Sequence, residues 1–285
     1  MPPKPQIAII GPGRLGRALI VALERARYPL REIVSRKQSS FRQVAGLPAK
    51  HTATYLRLSR RGRISAGLVW FCVPDRQLAQ AARILAGSTK WEGKIAFHSS
   101  GALASDELNV LRRRGAAVAS VHPLMTFVRE SIPSLEGVPF AIEGDKKAVQ
   151  TARQIVHDVG GEAFSIGKQN KAAYHAWGTF ASPLLIALLV AAEHVAAAAG
   201  ITPNDARRKM MPILLRTLAN YQCVGPARSF SGPIVRGDVG IIRSHLQMLR
   251  KVPEVREVYL ALARLALRHL PAANRRQLER LLRSA

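Results

Sequence analysis

The sequence predicts an α/β protein: a doubly wound, mostly parallel sheet followed by an all-α helical domain. Up to about residue 166, short apolar runs bounded by turn residues alternate with segments of helical period, as is typical of parallel sheets. From residue 168 onward nearly every segment has helical period. The chain has 285 residues, enough for two domains, which we place at residues 1–166 and 167–285.

Seven strands are predicted in the first domain, each from an apolar run that ends in glycine, proline or a polar residue. Their sequences are QIAII, REIV, GLVWFCVP, KIAFHSS, AAVASVHP, VPFAIEG and EAFSI. In a doubly wound sheet, ligands bind beyond the carboxyl ends of the strands. The loops after these strands are therefore the first candidates for a site.

The composition is that of an ordinary soluble protein except for its charge. The chain has 43 Lys and Arg against 18 Asp and Glu, a net charge of +25. The charge is spread over both halves of the chain, and no helix-turn-helix or zinc-finger pattern accompanies it. We expect no specific nucleic-acid partner, although a nucleic-acid-associated basic protein stays an alternative. A positive field also suits an anionic substrate or cofactor.

Cysteine, histidine and serine patterns disfavour several other classes. Cys72 and Cys223 lie far apart and form no C-x-x-C pair, which favours reduced thiols in a cytoplasmic protein. The eight histidines form no H-x-H, H-x-x-x-H or H-E-x-x-H pair, so we expect no metal site. The sequence G-x-S-x-G is missing, which disfavours a serine hydrolase.

The most apolar segment, residues 183–200, bears on membranes and on partners. Its uninterrupted run reaches only about ten residues before Glu193 and His194, whereas a spanning helix needs about twenty. We see no signal peptide before the first predicted strand, and we expect a soluble protein with no membrane partner. The run is too apolar for a lone helix on a solvated surface, so we expect a homodimer formed through the helical domain.

A glycine-rich turn joins the first predicted strand to the first helix. The sequence GPGRLG has the pattern G-x-G-x-x-G, which allows a tight turn, close approach of a pyrophosphate and close helix–strand packing. The helix N-terminus offers unpaired N–H groups to phosphates. We predict dinucleotide binding by a Rossmann-type domain. The residues assigned to the cofactor in this turn and after the strand GLVWFCVP are Gly11, Gly13, Arg14, Leu15, Gly16, Val73 and Pro74.

The end of the second predicted strand selects between two dinucleotides. NAD-binding proteins place an acid about 20 residues after the glycine motif, where it binds the ribose 2′-hydroxyl. Ser35, Arg36 and Lys37 stand at that place. A hydroxyl and two cations attract a 2′-phosphate, which an acid would repel. We predict NADP(H) as the cofactor, the alternative being a solvated basic turn.

Two later loops carry histidine beside small or polar residues. FHSSGAL contains Ser99, Ser100 and Gly101 after a histidine, and SVHPLMTF contains His122 and Pro123. Both loops follow strands and should meet at the same edge of the sheet. Hydroxyl and imidazole groups can bind a carbonyl or carboxylate, so we predict substrate binding by these five residues. Taken singly, each histidine is as well explained as a structural loop residue.

The first helix after the sheet carries Lys171 and His175 on one face, because they are four residues apart. Burial would lower the pKa of a lysine here, so that it could exchange a proton while a cofactor moves a hydride. We predict that Lys171, His175 and His122 are catalytic. The alternative is a lysine on a solvated first turn and a histidine in the core.

Farther along, the segment GPIVRGDVGIIRSHL combines turn residues with the start of a helix. Arg236 in this segment is predicted to bind an anionic ligand or a neighbouring subunit. A structural turn-and-cap role explains it equally well.

Six motifs in order, GPGRLG, FCVPD, FHSSGAL, VHPLMTF, KAAYHA and GPIVRGD, resemble a bacterial family of predicted oxidoreductases. These proteins pair a Rossmann-like domain with a C-terminal helical domain of unknown function, number 2520 in its series. The resemblance covers nearly the whole chain. It extends distantly to 6-phosphogluconate, β-hydroxyacid and prephenate dehydrogenases, ketopantoate reductase and pyrroline-5-carboxylate reductase.

The resemblance implies roles for individual residues. Lys171 matches the catalytic lysine of β-hydroxyacid dehydrogenases, and His175 stands where those enzymes have an asparagine. His122 and Pro123 are similar to the substrate-loop histidine and proline of prephenate dehydrogenases. Where the family often has Ser-Asn, this chain has Ser182 followed by a proline, which should interrupt the helix.

Together these features predict an NADP(H)-dependent oxidoreductase that moves a hydride to or from a small, anionic metabolite in a cleft between the domains. The alternative is a protein that binds NADP without catalysis, as a sensor or scaffold, and the departure at residues 182–183 is its support in the sequence. A nucleic-acid-associated protein is the weaker alternative.

Overall fold

The computed structural model describes residues 3–36, 44, 53–58 and 63–285. The chain divides into two compact units, Met1–Thr179 and Phe180–Ala285. The predicted boundary after residue 166 lies 13 residues before this division. The first two turns of the helix after the sheet belong to the first unit, because Lys171 and Tyr174 are buried there. The boundary at 166 stays a prediction.

The first unit contains one sheet, in which eight described strands have the order β3-β2-β1-β4-β5-β6-β7-β8. All neighbouring pairs are parallel except β6 and β7. This confirms the predicted doubly wound, mostly parallel sheet. The strands are β1 Ile7–Ile10, β2 Leu30–Ser35, β3 Thr54–Arg57, β4 Leu68–Phe71, β5 Ile95–His98, β6 Ala117–Pro123, β7 Pro139–Gly144 and β8 Glu162–Ser165.

Strand β3 was not among the predicted strands. It is four residues long and lies at the edge of the sheet, where it pairs only with β2. An edge strand has one neighbour, so its sequence TYLR lacks the continuous apolar run that marks the central strands.

Helices cover both faces of the sheet. They are α1 Arg14–Arg25, α2 Asp75–Ser88, α3 Asn109–Arg112, α4 Lys146–Asp158 and α5 Lys171–Ala181. Leu19 of α1 and Ile155 of α4 belong to one core, and Leu78 of α2 and Leu111 of α3 belong to a second core. Strands between two helical layers are apolar at every position because both of their faces are buried, as in the sequence IAII of β1.

The strand order reverses at β1, because the chain runs from β1 to β2 on one side and later fills the other side from β4 onward. Such a switch point opens a crevice at the carboxyl edge of the sheet. The ends of β1, β4 and β5 are in register there with one another and with the middle of β6: Ile10 pairs with Phe71, Phe71 with His98, and His98 with Ser120. Neighbouring strands are about 4.8 Å apart, so this edge extends about 14 Å from Ile10 to Ser120.

The second unit is helical, as predicted. Its helices are α6 Pro183–Ala198, α7 Pro203–Ser229, α8 Pro233–Arg236, α9 Val239–Met248, α10 Pro253–His269 and α11 Arg275–Arg283. A small apolar core includes Ile242, Leu260 and Leu278. The predicted interruption before Pro183 is present: Ser182 has φ −128° and ψ −79°, because a proline disfavours helical geometry in the residue before it.

One helical stretch in the described residues, Lys168–Ala198, is long and apolar enough to cross a membrane by length and composition alone. None of its most apolar window is buried within the chain. The predicted apolar run is shorter because it begins only at Pro183, whereas this helical stretch begins at Lys168.

Candidate functional site

The glycine-rich turn has the shape of a phosphate cradle. Gly11 has φ +91°, and a Cβ atom there would lie 2.8 Å from Cγ1 of Val73. A Cβ atom on Gly16 would overlap the carbonyl oxygen of Gly11, so only glycine allows the first turn of α1 to approach β1 this closely. A Cβ atom on Gly13 would meet nothing within 4 Å. Gly13 therefore faces open space into which a ligand can approach the backbone.

Backbone donors line this open space. Gly13 is the N-cap residue of α1, and the first intrahelical bond runs from the N–H of Arg17 to the carbonyl of Gly13, at 2.9 Å. The N–H groups of Arg14, Leu15 and Gly16 in the first turn have no acceptor within the helix, because the first turn of any helix lacks them. With the positive end of the helix dipole, they suit a phosphate.

A cavity of about 190 Å³ adjoins the cradle. Six of the predicted cofactor residues line it: Gly11, Gly13, Ser35, Arg36, Val73 and Pro74. The predicted Arg14, Leu15 and Gly16 belong to the first turn of α1 and are not among the lining residues. None of the described residues that line it is acidic. Lys37, predicted to join them, lies outside the described residues.

Arg36 has a partner that the sequence did not indicate. Its Nη2 atom donates to Oε1 of Gln77 at 2.6 Å, and Gln77 also lines the cavity. Gln77 lies on α2, about 40 positions away in sequence, and its position beside Arg36 follows from the fold. The partner of the guanidinium in this hydrogen bond is thus a neutral amide, which orients it beside the cavity.

A second cluster of polar groups lies at the carboxyl ends of β5 and β6. Lys171 of α5 is only 2% exposed, and its ammonium donates to the carbonyl oxygen of Ser100 and to Oγ of Ser120, each at 2.8 Å. No described carboxylate lies within ion-pair distance of it. Burial lowers the pKa of Lys171 to about 8, although the carboxylates of Glu143 and Asp75 partly oppose this.

The loop after β5 is held by its own polar groups. The N–H of Ser100 donates to Nδ1 of His98 at 3.1 Å, so Nε2 of His98 carries the proton that faces the carbonyl of Ala104 at 3.0 Å. His98 is fully buried, and burial lowers its pKa to about 4. His98 is therefore a neutral residue that shapes the loop.

The predicted serine ligands also have partners within the protein. Oγ of Ser99 accepts from the indole N–H of Trp70 at 2.8 Å, and Oγ of Ser100 accepts from the N–H of Leu103 at 2.9 Å. The carbonyl of Ser100, which sequence patterns do not reveal, is the group that contacts Lys171. Substrate binding by the two hydroxyls stays a prediction.

His122 and His175 converge on Gly101. A Cβ atom on Gly101 would lie 2.8 Å from Nε2 of His122 and 2.8 Å from Cδ2 of His175. Nδ1 of His122 lies 2.7 Å from the hydroxyl of Tyr174, with the two rings nearly perpendicular. Of the predicted pair on α5, Lys171 is buried and His175 is exposed, so the histidine lies at the rim of the cluster.

Several members of this cluster were not predicted. Ser120 contacts Lys171, Tyr174 contacts His122, and Glu143 pairs with Ser120 in the β6–β7 register. Glu143 is buried and accepts from the N–H and Oγ of Ser105, at 2.6 and 2.8 Å. Two features of the sequence could have indicated these residues. Ser120 is a polar residue inside the otherwise apolar strand AVASVHP, and Tyr174 lies three residues after Lys171, on the same face of the helix.

The remaining predicted residues lie apart from this cluster or at its border. Pro123 is the buried last residue of β6. Arg236, in the second unit, pairs with Asp238 at 2.8 Å, so its predicted contact with a ligand or subunit stays a prediction. Lys168, which was not predicted as a site residue, is exposed and pairs with Asp106 at 2.6 Å. Within the described parts of the chain, no group of three or more His, Cys, Asp or Glu could hold a metal ion.

A Rossmann-like α/β domain followed by a helical domain is the class that the fold defines, and family models agree. Residues 1–123 match a Rossmann-like domain, and residues 138–266 match a domain of unknown function, DUF2520. The two matches confirm the resemblance stated from the motifs. A search of curated proteins finds no match.

Solved structures share this architecture over nearly the whole chain. The "putative NADP oxidoreductase BF3122" from Bacteroides fragilis has 20% identity and a TM-score of 0.75, covering 92% of this chain and 97% of its own. Protein TM1727 from Thermotoga maritima has 22% identity and a TM-score of 0.69, covering 91% and 96%. An imine reductase from Myxococcus stipitatus in complex with NADP+ has 15% identity and a TM-score of 0.66, covering 98% and 100%. At these identities the similarity shows the fold.

Proposed function

We propose that the protein is an NADP(H)-dependent oxidoreductase that moves a hydride to or from a small, anionic metabolite. One observation carries this proposal. A buried lysine with neutral hydrogen-bond partners lies on the same edge of the sheet as a glycine-rich turn that faces open space. A dinucleotide cradle alone fits many functions. A lysine on the same edge of the sheet, with a pKa of about 8, supplies what a hydride-transfer site requires, a group that exchanges a proton with the substrate.

The cofactor assignment rests on the fit of the cradle and cavity. Gly13 and the first-turn N–H groups of α1 would hold the pyrophosphate, and Ser35 and Arg36 would face the adenosine ribose. The lack of an acidic residue among the described lining residues favours a 2′-phosphate. When bound, NADPH donates a hydride and NADP+ accepts one. Two similar structures named above are described as a "putative NADP oxidoreductase" and as a complex with NADP+, which supports the same choice.

Lys171 would hold the proton that the reaction consumes or releases. Its ammonium has three N–H groups, of which two donate to Ser100 and Ser120. The third would donate to the oxygen or nitrogen of a substrate as the bond at the neighbouring carbon is reduced. Because its pKa lies near 8, the lysine is mostly protonated at neutral pH and releases the proton at small cost.

The substrate panel follows from this chemistry. Reduction of a C=O or C=N bond needs a proton at the heteroatom, and the positive charge of Lys171, together with the net charge of +25, suits anions. Several similar structures are described as imine reductases or reductive aminases, which supports including C=N substrates. We therefore propose 2-oxo acids and cyclic imines with NADPH, and hydroxy acids and amines with NADP+, as the compounds to test.

The alternative function is NADP binding without turnover. The interruption at Ser182 and Pro183, where the resembling family has an asparagine, favours it. NADPH oxidation with any member of the panel, faster than without substrate, supports the enzyme. Tight NADPH binding with no oxidation across the panel supports the sensor or scaffold, and salt-sensitive DNA binding that ignores NADPH supports a nucleic-acid role.

We also propose a homodimer formed through the helical unit, in the cytoplasm. Side chains of α6 and α7 such as Ile186, Ile213 and Leu215 are 58 to 68% exposed. Exposed apolar surface on this scale favours association with another apolar surface, and a second copy offers the matching one. The two cysteines, Cys72 and Cys223, are free thiols, which supports a reducing compartment.

A further inference from the structure

One hydrogen bond joins His122 and Tyr174, and the direction of this bond can be assigned. We propose that Tyr174 fixes His122 as the neutral tautomer with its proton on Nε2, so that His122 donates a hydrogen bond to an oxygen of the substrate beside Gly101. This inference rests on the proposed function for its substrate. It adds that the substrate carries a carbonyl or carboxylate oxygen at that point.

The direction of the bond follows from the surroundings of Tyr174. The tyrosine is 6% exposed, and in the described part of the chain its hydroxyl has a single hydrogen-bond partner, Nδ1 of His122 at 2.7 Å. If His122 donated from Nδ1, the hydroxyl proton would be buried without an acceptor, which is unfavourable. Tyr174 therefore donates, and burial, which raises its pKa to about 12, keeps it protonated. The ring is held by edge contacts with Phe164 and Trp177.

The charge state of His122 follows from its neighbours. The titratable groups that act on it are Lys171 and His175 of α5 and His98 of β5, besides the hydroxyl of Tyr174. Burial, and then the electrostatic effects of Lys171, His175 and His98, lower the pKa of His122 to about 4. A neutral imidazole has one donor and one acceptor nitrogen. Since Nδ1 accepts from Tyr174, Nε2 carries the proton.

The surroundings of Nε2 indicate which kind of group accepts its hydrogen bond. Nε2 has no hydrogen-bond partner among the residues that the structure describes, and a Cβ atom on residue 101 would lie 2.8 Å from it. Glycine at this position avoids that contact and leaves the Nε2 donor without a partner in the described residues. A donor nitrogen beside the ammonium of Lys171 suits an oxygen acceptor and repels a cationic group. We therefore assign a carbonyl or carboxylate oxygen to this position.

The tautomer can be measured without turnover, so it stands or falls separately from the proposed function. In protein with ¹⁵N-labelled histidine at pH 7, the ring nitrogens of His122, assigned by their loss in His122→Gln, should show a proton on Nε2 only. Tyr174→Phe should shift His122 to a mixture of tautomers. The matched control is Tyr259→Phe, whose hydroxyl lies 3.1 Å from Nδ1 of His245 in the other unit and which should leave His122 unchanged. A proton on Nδ1, or a charged ring, in the unmodified protein overturns the inference.

The substrate contact is tested with pyruvate as the probe, in protein loaded with NADP+. Pyruvate should shift the Nε2 signal of His122 at millimolar concentration, and Gly101→Ala should weaken this binding by about tenfold because its methyl group meets the ring edge. Circular dichroism confirms the fold of the variant. A Nε2 signal unchanged by saturating pyruvate, or equal binding by Gly101→Ala, contradicts the contact.

Discussion

The ammonium of Lys171 lies 2.8 Å from Oγ of Ser120, and both groups contact the carbonyl oxygen of Ser100, at 2.8 and 3.2 Å respectively. The three groups form a closed triangle between the end of β5 and the middle of β6. A buried cation usually has a carboxylate partner, because an unpaired charge is costly in a protein interior. Here the partners are neutral, so the cation is stabilised only weakly and can lose its proton near neutral pH.

Ser120→Ala tests this triangle. The hydroxyl stabilises the charged form of Lys171, so its loss should lower the pKa of Lys171 by about one unit further below 8. The basic limb of the pH profile of kcat/KM for NADPH-dependent reduction should move to lower pH by the same amount. Ser165→Ala is the control, because that hydroxyl accepts from Arg153 elsewhere on the sheet. A limb at the same pH in all three proteins would refute the coupling.

Arg36 should determine the choice between NADPH and NADH. We expect NADPH to bind more tightly in the unmodified protein, and Arg36→Asp to weaken NADPH binding by about ten- to a hundredfold, since one charge-assisted contact is worth about 1.5–3 kcal/mol. NADH affinity should change little. Arg113→Asp, an exposed residue just before β6 at the opposite edge of the sheet, carries the same charge change and should have little effect. Fluorescence titration of the three proteins with each cofactor measures these affinities; equal affinity of the unmodified protein for both cofactors contradicts the assignment.

His98 should make the fold less stable in acid. Its folded pKa of about 4 lies below the unfolded value near 6.5, so the unfolded chain binds more protons between these values and stability falls as pH falls. The loss from His98 should reach about 3 kcal/mol by pH 4, with none above pH 7. Urea unfolding at pH 7, 5 and 4 measures it.

In His98→Gln the dependence of stability on pH should be reduced, with the contribution of His122 remaining. His269→Gln, at an exposed position, should keep the full dependence. An identical dependence in His98→Gln and the unmodified protein would show that His98 is not held neutral.

The proposed dimer predicts a response to charge on α7. Light scattering at micromolar concentration should give twice the monomer mass for the unmodified chain. Ile213→Asp, at a side chain that is 68% exposed, should shift the protein toward monomer, because a buried carboxylate at an apolar interface is unfavourable. Arg216→Gln, three residues along the same helix, should remain a dimer. A monomer mass for the unmodified chain removes the proposal.

Local patterns predicted the sheet and the cradle because their causes are local. The apolar runs of β1 and β4 and the spacing of Gly11, Gly13 and Gly16 are readable along the chain. The contacts of the second cluster are not, because Lys171 meets residues 51 and 71 positions away. Periodicity in the sequence does not reveal strand register or side-chain direction. It therefore could not predict that Lys171 contacts Ser120, that Arg36 contacts Gln77, or that Ser100 uses its carbonyl rather than its hydroxyl group.

The net charge of +25 predicts the position of a ligand site less well than the motifs do. Many basic residues pair locally, as Lys168 does with Asp106 and Arg236 with Asp238, so a cation near a motif does not establish a ligand contact. Burial distinguishes them. Lys168 is exposed and ion-paired, and Lys171 one turn later is buried with neutral partners.

This pair of lysines provides the most direct test of the proposed function. With NADPH and any substrate from the panel that is turned over, Lys171→Met should lower kcat by about 10²–10⁴-fold and leave NADPH affinity nearly unchanged, because the cofactor phosphates would lie at the cradle of α1. Lys168→Met, which removes an exposed charge, should retain nearly full activity. Equal and mild losses in the two variants, or NADPH binding without oxidation across the whole panel, would contradict catalysis by Lys171 and the oxidoreductase proposal built on it.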